Sequence, residues 1–307
     1  MRILVIGSLN MDETAEMDRL PDAGQTVIGS SLRYAPGGKG NNQCVAAARL
    51  GGNAEMAGMV GNDAHGKELL ALLEREGVPH RFVFSCGLPT GLAQIQVDAA
   101  GQNRICVVPS ANYAFGRNEL DGADAALREC GIVLLQLELR PEITAETVRR
   151  AHSYGKTVIL NPAPAAVLPE DVFPMIDYLT PNETELSFLA GMPAGSDGEI
   201  SLAASALRKK GFRNVVVTCG ARGVYADCET FKGFLDGFRV EAEDTVAAGD
   251  CFSGAFAVGL TENMKTREIL RFANAAAAIS VQRPGAVSSL PYRYEVDAFL
   301  QAHPEKD

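Results

Sequence analysis

Apolar runs rich in Val and Ile alternate along the chain with amphipathic stretches. This is the pattern of a sheet whose strands are joined by helices on both of its faces. Strands are predicted over residues 3–6, 55–60, 132–137, 157–160, 178–180 and 215–218, and helices over 40–50, 66–76, 145–153 and 202–210. Two segments break the alternation, 12–36 and 91–108. The second holds two β-rich runs, 92–97 and 104–108, around the turn-like Asp98-Ala99-Ala100-Gly101-Gln102-Asn103. Strands inserted into such a fold need a place to pack, and a small sheet over the carboxyl edge of the main sheet, where ligands sit, supplies one. The expected architecture is a single α/β domain over 1–307. It is doubly wound, with a mainly parallel sheet, helices on both faces, and a small β-sheet lid from about 12–36 and 91–108.

Composition narrows the picture. The 307 residues are long enough to bury a substantial core, and the longest apolar runs, such as 132–135 and 275–279, are far shorter than a membrane span. The first residues read as a buried strand with no cleavage site after it, so a cytoplasmic, non-membrane location is expected. Seven scattered cysteines, never spaced C-x-x-C, support neither a disulfide framework nor a zinc ribbon, and most are expected to be small core residues. A net charge of -10 argues against a nucleic-acid partner, although helix N-termini can hold a nucleotide's phosphates in an acidic protein.

The strongest chemical signal is Asp244-Thr245-Val246-Ala247-Ala248-Gly249-Asp250-Cys251-Phe252-Ser253-Gly254-Ala255, followed by an apolar helical stretch. Small residues Ala247, Ala248 and Gly249 let the backbone approach a ligand, and the amides opening the helix form an anion hole. Asp250, in the first turn, is placed to take the proton of an attacking hydroxyl, as phosphoryl transfer requires. A lone Gly-Asp there would more often be a helix cap. The second signal is Pro36-Gly37-Gly38-Lys39-Gly40-Asn41-Asn42-Gln43, where Lys39 and Asn42 offer donors at a helix entry behind paired glycines.

The first segment resembles the D-T-x-G-A-G-D signature of the phosphofructokinase-B type, ribokinase-like sugar kinases, and the second their G-G-K-G-x-N-Q element. Further matches run along almost the whole chain in the family's order: Gly7-Ser8-Leu9-Asn10-Met11-Asp12, Gln136-Leu137-Glu138, Asn161-Pro162-Ala163-Pro164, Thr180-Pro181-Asn182-Glu183-Thr184-Glu185, Thr218-Cys219-Gly220-Ala221-Arg222-Gly223 and Arg283-Pro284-Gly285-Ala286. The resemblance implies an ATP-dependent kinase phosphorylating ribose at O5, or a related small sugar such as deoxyribose. It places Asn10, Asp12, Gly38, Lys39, Asn42 and Glu138 on the sugar with Asp250 beneath the reacting hydroxyl. Asn182 and Glu185 would serve Mg²⁺ and phosphate through water, since Mg²⁺ gives up its hydration reluctantly. Thr218, Gly220, Gly223, Gly249 and Asn274 would bind ATP. Asp244, Val246, Ser280, Arg283, Gly285 and Ser289 would hold a monovalent cation, K⁺, several through backbone carbonyls. It also implies a homodimer through the lid. The chain departs from the family at Ala247 (often Gly), Cys251 and Ser253 (commonly Thr and Asn) and Asn274 (frequently His).

Rival readings are weaker. Gly61-Asn62-Asp63-Ala64-His65-Gly66-Lys67 fits G-x-x-x-x-G-K, but Glu68 stands where a P-loop needs Ser or Thr, and Asp63 is better explained as a helix cap. The opening strand suggests a dinucleotide-dependent oxidoreductase, yet Gly7-Ser8-Leu9-Asn10 is not G-x-G-x-x-G. A non-catalytic sugar or nucleotide sensor would have no reason to keep both Asp250 and Gly249. The four histidines have no metal-ligand spacing and are assigned no role.

Overall fold

The computed structural model describes residues 1–305, so the last two residues of the expected domain lie outside the described residues. Strand β1 (Arg2–Ile6) is buried from Ile3 onward, and β2 (Asn10–Met17) and β3 (Ser31–Gly37) leave its line to start a second sheet. Helix α1 (Lys39–Arg49), β4 (Asn53–Gly61), α2 (Ala64–Arg75) and β5 (Phe82–Cys86) follow, and then β6 (Gly91–Asp98) and β7 (Asn103–Val108) rejoin the second sheet. Short helices α3 (Ala111–Ala114), α4 (Arg117–Gly122) and α5 (Asp124–Glu129) lead into β8 (Ile132–Leu135), α6 (Pro141–Ser153), β9 (Thr157–Leu160) and β10 (Tyr178–Leu179). Helices α7 (Glu183–Ala190) and α8 (Asp197–Lys209) precede β11 (Val215–Thr218), β12 (Gly223–Asp227) and β13 (Lys232–Asp236), and the chain finishes with α9 (Ala248–Thr261), α10 (Thr266–Ser280) and α11 (Arg293–Ala302).

The main sheet has nine strands in the order β13-β12-β11-β10-β9-β8-β1-β4-β5. It is parallel from β11 through β5 and antiparallel only at the β11–β12–β13 edge. Alternate residues of β1 feed two cores. Ile3 and Val5 belong to the core that also contains α1, α9 and α10, whereas Leu4 and Ile6 belong to the core on the other face, which contains residues of α3 through α8. This is the doubly wound arrangement expected, with the chain turning to opposite sides of β1 where β4 and β8 flank it.

The second sheet has the order β3-β2-β6-β7. Its two central strands are parallel, and each carries an antiparallel partner, so the two excursions form one lid through the β2–β6 pairing. The lid begins at Asn10, two residues before the expected boundary, because Asn10 already pairs with Gly37 and Gly91.

Other boundaries differ for local reasons. The strand expected over 132–137 stops at Leu135, since the Leu137 amide turns to the Ala163 carbonyl at 3.0 Å. The helix expected from 202 starts at Asp197 behind a capping box of Ser196 and Glu199, a Ser-x-x-Glu signal present in the sequence. Helix α6 starts earlier than 145 because Pro141 fits the first helical position.

One contact sets the geometry of the site. Helices α1 and α9 cross closely, and a Cβ on Gly254 would lie 2.8 Å from both the Gln43 carbonyl and the Ala46 methyl. Only glycine lets the two helix starts converge so tightly, and those starts carry Asn42, Gln43 and Asp250.

Candidate active site

A cleft of about 470 Å³ lies between the carboxyl ends of the central strands and the lid. Strand β2 supplies Asn10 and Asp12, and the start of α1 supplies Gly38, Lys39 and Asn42. Glu138 follows β8, Asn182 and Glu185 come from the start of α7, and Thr218 ends β11. Thr245, Val246, Ala247, Gly249 and Asp250 approach from α9, while Ala93, Ile95, Ile105 and Val107 roof the cleft from the lid. Every residue expected on the sugar side therefore meets in one cavity.

Several other expected residues do not line it. Ala248 sits behind it, its amide donating to the Thr245 carbonyl at 3.3 Å. Gly220, Gly223 and Asn274 also lie outside the lining, Asn274 buried on α10 with its amide nitrogen unpaired. Of the monovalent-cation set, only Val246 reaches the cavity wall.

Asp250 is 6 % exposed and held at both oxygens, Oδ2 accepting from Asn42 Nδ2 at 3.0 Å and Oδ1 from Gln43 Nε2 at 2.9 Å. No side chain caps α9, so its first-turn amides face the end of the helix without a side-chain acceptor. The turn into it passes through Ala247 at φ 61, a left-handed conformation that costs a non-glycine residue roughly 1–2 kcal/mol. An alanine thus tolerates, at a strained site, the conformation that favours the glycine common in the family.

Charge is concentrated here. Burial pulls the Lys39 ammonium toward neutrality, but Asp250, Glu138, Glu185 and Asp12 outweigh it and hold its pKa above the usual lysine value. Asp12 moves the other way: burial, followed by Glu138 and Asp250, pushes its carboxyl from 3.8 up to about 7 despite Lys39. Burial also raises Glu185 against the opposing pull of the Asn182 amide and Lys39.

Ser8 and Asn112, outside the expected set, hold some of these groups in place, and Asn182 and Glu185 hold each other. Glu138 accepts from Ser8 Oγ at 2.5 Å and from the Lys39 amide at 3.0 Å, which seats a carboxylate at the α1 N-terminus. Asn112, 1 % exposed, donates to Asn10 Oδ1 at 2.7 Å and accepts from the Leu9 amide at 2.9 Å. Asn182 and Glu185 form a capping box on α7, Glu185 accepting from the Asn182 amide at 2.9 Å. Asn112 carries no signal in the sequence, because its partner is 102 residues away.

The two loops expected around the monovalent cation are joined by Asp244. Its Oδ2 accepts from the Gly285 amide at 2.8 Å and its Oδ1 from the Val246 amide at 2.9 Å. Arg283 pairs with Glu295 at 2.5 Å, and the Ser280 and Ser289 hydroxyls share a hydrogen bond at 2.8 Å.

The competing features resolve simply. Asp63 caps α2 by accepting from the Gly66 amide at 2.8 Å and also takes the Thr90 hydroxyl at 2.6 Å, which occupies the segment a P-loop would open. Five cysteines are buried, Cys86 is half-buried and Cys106 is exposed on the lid.

Residues 1–293 match the pfkB family of carbohydrate kinases. The chain is 39% identical to the ribokinase of Bacillus subtilis (strain 168), covering 97% of this chain and 99% of that one. It is 33% identical to a deoxyribokinase of Salmonella typhi, covering 98% and 99%. Among solved structures it resembles Arabidopsis thaliana ribokinase complexed with ribose and ATP, with a TM-score of 0.92 at 36% identity over 97% of this chain and 98% of that one.

Proposed function

The chain belongs to the pfkB family of carbohydrate kinases, and from that premise we propose that it transfers the γ-phosphoryl group of ATP to O5 of ribose, with Asp250 as general base. The observation that carries this reading is a carboxylate held by two amides at an uncapped helix N-terminus, in the floor of a cleft lined with hydroxyl-binding groups. Asp250 takes the hydroxyl proton as the sugar oxygen bonds to phosphorus, the bond from phosphorus to the bridging oxygen breaks, and ADP leaves. The first-turn amides of α9 stabilise the charge on the moving group. Asn10, Asp12, Asn42 and Glu138 bind sugar hydroxyls from the cleft wall.

The nucleotide side is our reading as well. Thr218, Gly220, Gly223, Gly249 and Asn274 are assigned to ATP, with Asn274 and the two outer glycines reaching it from beyond the cleft walls. Four carboxylates surround one ammonium in the cleft, so a polyphosphate needs cations to approach. The hard oxygens of Asn182 and Glu185 suit a hydrated Mg²⁺. Asp244 and the carbonyls of Val246, Ser280, Arg283, Gly285 and Ser289 suit K⁺, whose preferred ligands are such oxygens. When bound, these ions would neutralise phosphate charge. Turnover is expected to be higher in K⁺ than in Na⁺; equal turnover in K⁺, Na⁺ and a bulky organic cation contradicts the K⁺ assignment.

We assign residues 1–307 to one domain, placed in the cytoplasm where ATP is available; no helix among the described residues is long and apolar enough to cross a membrane. The lid leaves Leu32 and Tyr34, neither of which lines the cleft, about half exposed, which favours a homodimer through this sheet. Sedimentation velocity that finds only monomer contradicts it.

The sugar assignment is tested by comparing ribose with 2-deoxyribose. A buried polar group left unpaired costs roughly 1–3 kcal/mol, so a hydroxyl-matched pocket favours ribose in kcat/KM by about tenfold or more. Deoxyribose equal to or better than ribose moves the assignment to deoxyribose or a related sugar.

A further inference from the structure

Asp250 rests on a buried relay of amides in which Asn161 lines the cleft and Gln43 and Gln136 do not. Gln43 is fully buried and absent from the cavity walls, yet its Nε2 donates to Asp250 Oδ1 at 2.9 Å and to Asn161 Oδ1 at 3.1 Å. Its Oε1 accepts from Gln136 Nε2 at 2.7 Å. An ionised carboxylate only accepts, so the Gln43 amide has one allowed orientation, and Gln136 must then present its nitrogen to Gln43. All the hydrogen-bonding capacity that Gln43 Nε2 has is used.

The relay is anchored to the sheet at both ends. Asn161, after β9, donates to the Thr180 carbonyl at 2.9 Å. Gln136, after β8, places its Oε1 without any hydrogen-bond partner where a side chain on Gly7 would begin, 2.0 Å from that missing Cβ. The carboxyl ends of β8, β9 and β10 are thus connected, through Gln43, to a single oxygen of the base.

We infer that Gln43 is a positioning residue for phosphoryl transfer, fixing the orientation of the Asp250 carboxylate toward the attacking hydroxyl, and that Gln136 fixes Gln43 in turn. The inference rests on the reading of Asp250 as the base. Asn42 holds the other oxygen but also lines the cleft, so its loss would disturb sugar binding. Gln43 itself does not line the cleft and donates to Asp250 and to Asn161, so its removal is expected to change turnover with little change in how tightly either substrate binds. Small misplacements of a reacting group lower rates strongly.

The test is a double-variant cycle of Gln43→Met and Asp250→Asn, read as kcat and KM for ribose and ATP, with circular dichroism and thermal melting to confirm folding. Gln43→Met is expected to lower kcat about 10- to 100-fold with both KM values within about threefold of the wild type. Added to Asp250→Asn, it is expected to cause no further loss, because the group it positions is already inactive. If Gln43→Met does not fold, Gln136→Met carries the test. It removes the donor to Gln43 Oε1 while leaving both Asp250 donors in the chain, and is expected to lower kcat about threefold or more at unchanged KM. The inference is overturned by a kcat within about threefold of the wild type in folded Gln43→Met, by unchanged kcat in Gln136→Met where that variant is used, or by losses from Gln43→Met and Asp250→Asn that multiply. Full activity in Asp250→Asn itself would instead remove the reading of the base, which separates the two failures.

Discussion

Asp250→Asn lowers kcat by about 10²–10⁴-fold while leaving ATP binding largely intact, the range a lost general base typically produces. The amide has nearly the shape of the carboxylate and cannot take a proton, so the expected loss is in turnover. The substitution also turns one acceptor oxygen into a donor, which faces either Asn42 Nδ2 or Gln43 Nε2, now 3.0 Å and 2.9 Å from the two carboxylate oxygens. A rotated side chain is therefore part of the effect, and thermal melting should accompany the kinetics. Retention of more than about a tenth of wild-type turnover at saturating substrates would mean that Asp250 is not the base.

Asp12→Ala lowers kcat/KM for ribose about 10- to 100-fold, since a hydrogen bond to a charged group contributes roughly 1.5–3 kcal/mol and each 1.4 kcal/mol is a decade. Its carboxyl is pushed up to about 7, chiefly by burial and then by Glu138 and Asp250. Because that value lies above the unfolded 3.8, the neutral carboxyl's contribution to the unliganded fold is lost progressively as pH rises from about 3.8 to about 7. A sugar that binds the charged form works against that loss. For such a single ionisation the apparent KM carries a factor of 1 + 10^(7−pH), so KM for ribose falls about tenfold between pH 6 and pH 8. Asp12→Asn makes KM independent of pH across this window. Unchanged ribose kinetics in Asp12→Ala, or a wild-type KM that rises with pH, contradicts the role given to Asp12.

The sequence made the sheet and the cleft residues legible for different reasons. Strands such as 157–160 and 215–218 are continuous apolar runs, and a strand buried on both faces leaves that mark wherever it occurs. The pocket residues were visible because they sit in local strings: Gly37-Gly38-Lys39 and Gly249-Asp250 each put a turn, a helix start and a polar group within a few positions. What the strings could not show is how they meet. Asn112 reaches Asn10 across 102 residues and Gln43 reaches Asp250 across 207, and no periodicity records a pairing that tertiary packing alone creates.

The lid was legible as two interruptions in the alternation, but not as one sheet. The β2–β6 pair is parallel and joins segments about 80 residues apart, so no turn signal announces it. The strain at Ala247 was hidden too, since alanine elsewhere gives no hint of a positive φ. Gly220, Gly223 and Asn274 were assigned to the nucleotide from motif positions, and the cleft walls do not include them.

Phosphate transfer in this cleft from ATP to a sugar hydroxyl is measured as ADP release by the purified chain, with Mg²⁺, K⁺ and ATP, in the presence and absence of ribose. Release is expected to depend on ribose, with one phosphorylated sugar formed per ADP and the phosphate on O5 by NMR. Release that is the same with and without sugar, or no release with ribose or any other pentose or hexose, would contradict it.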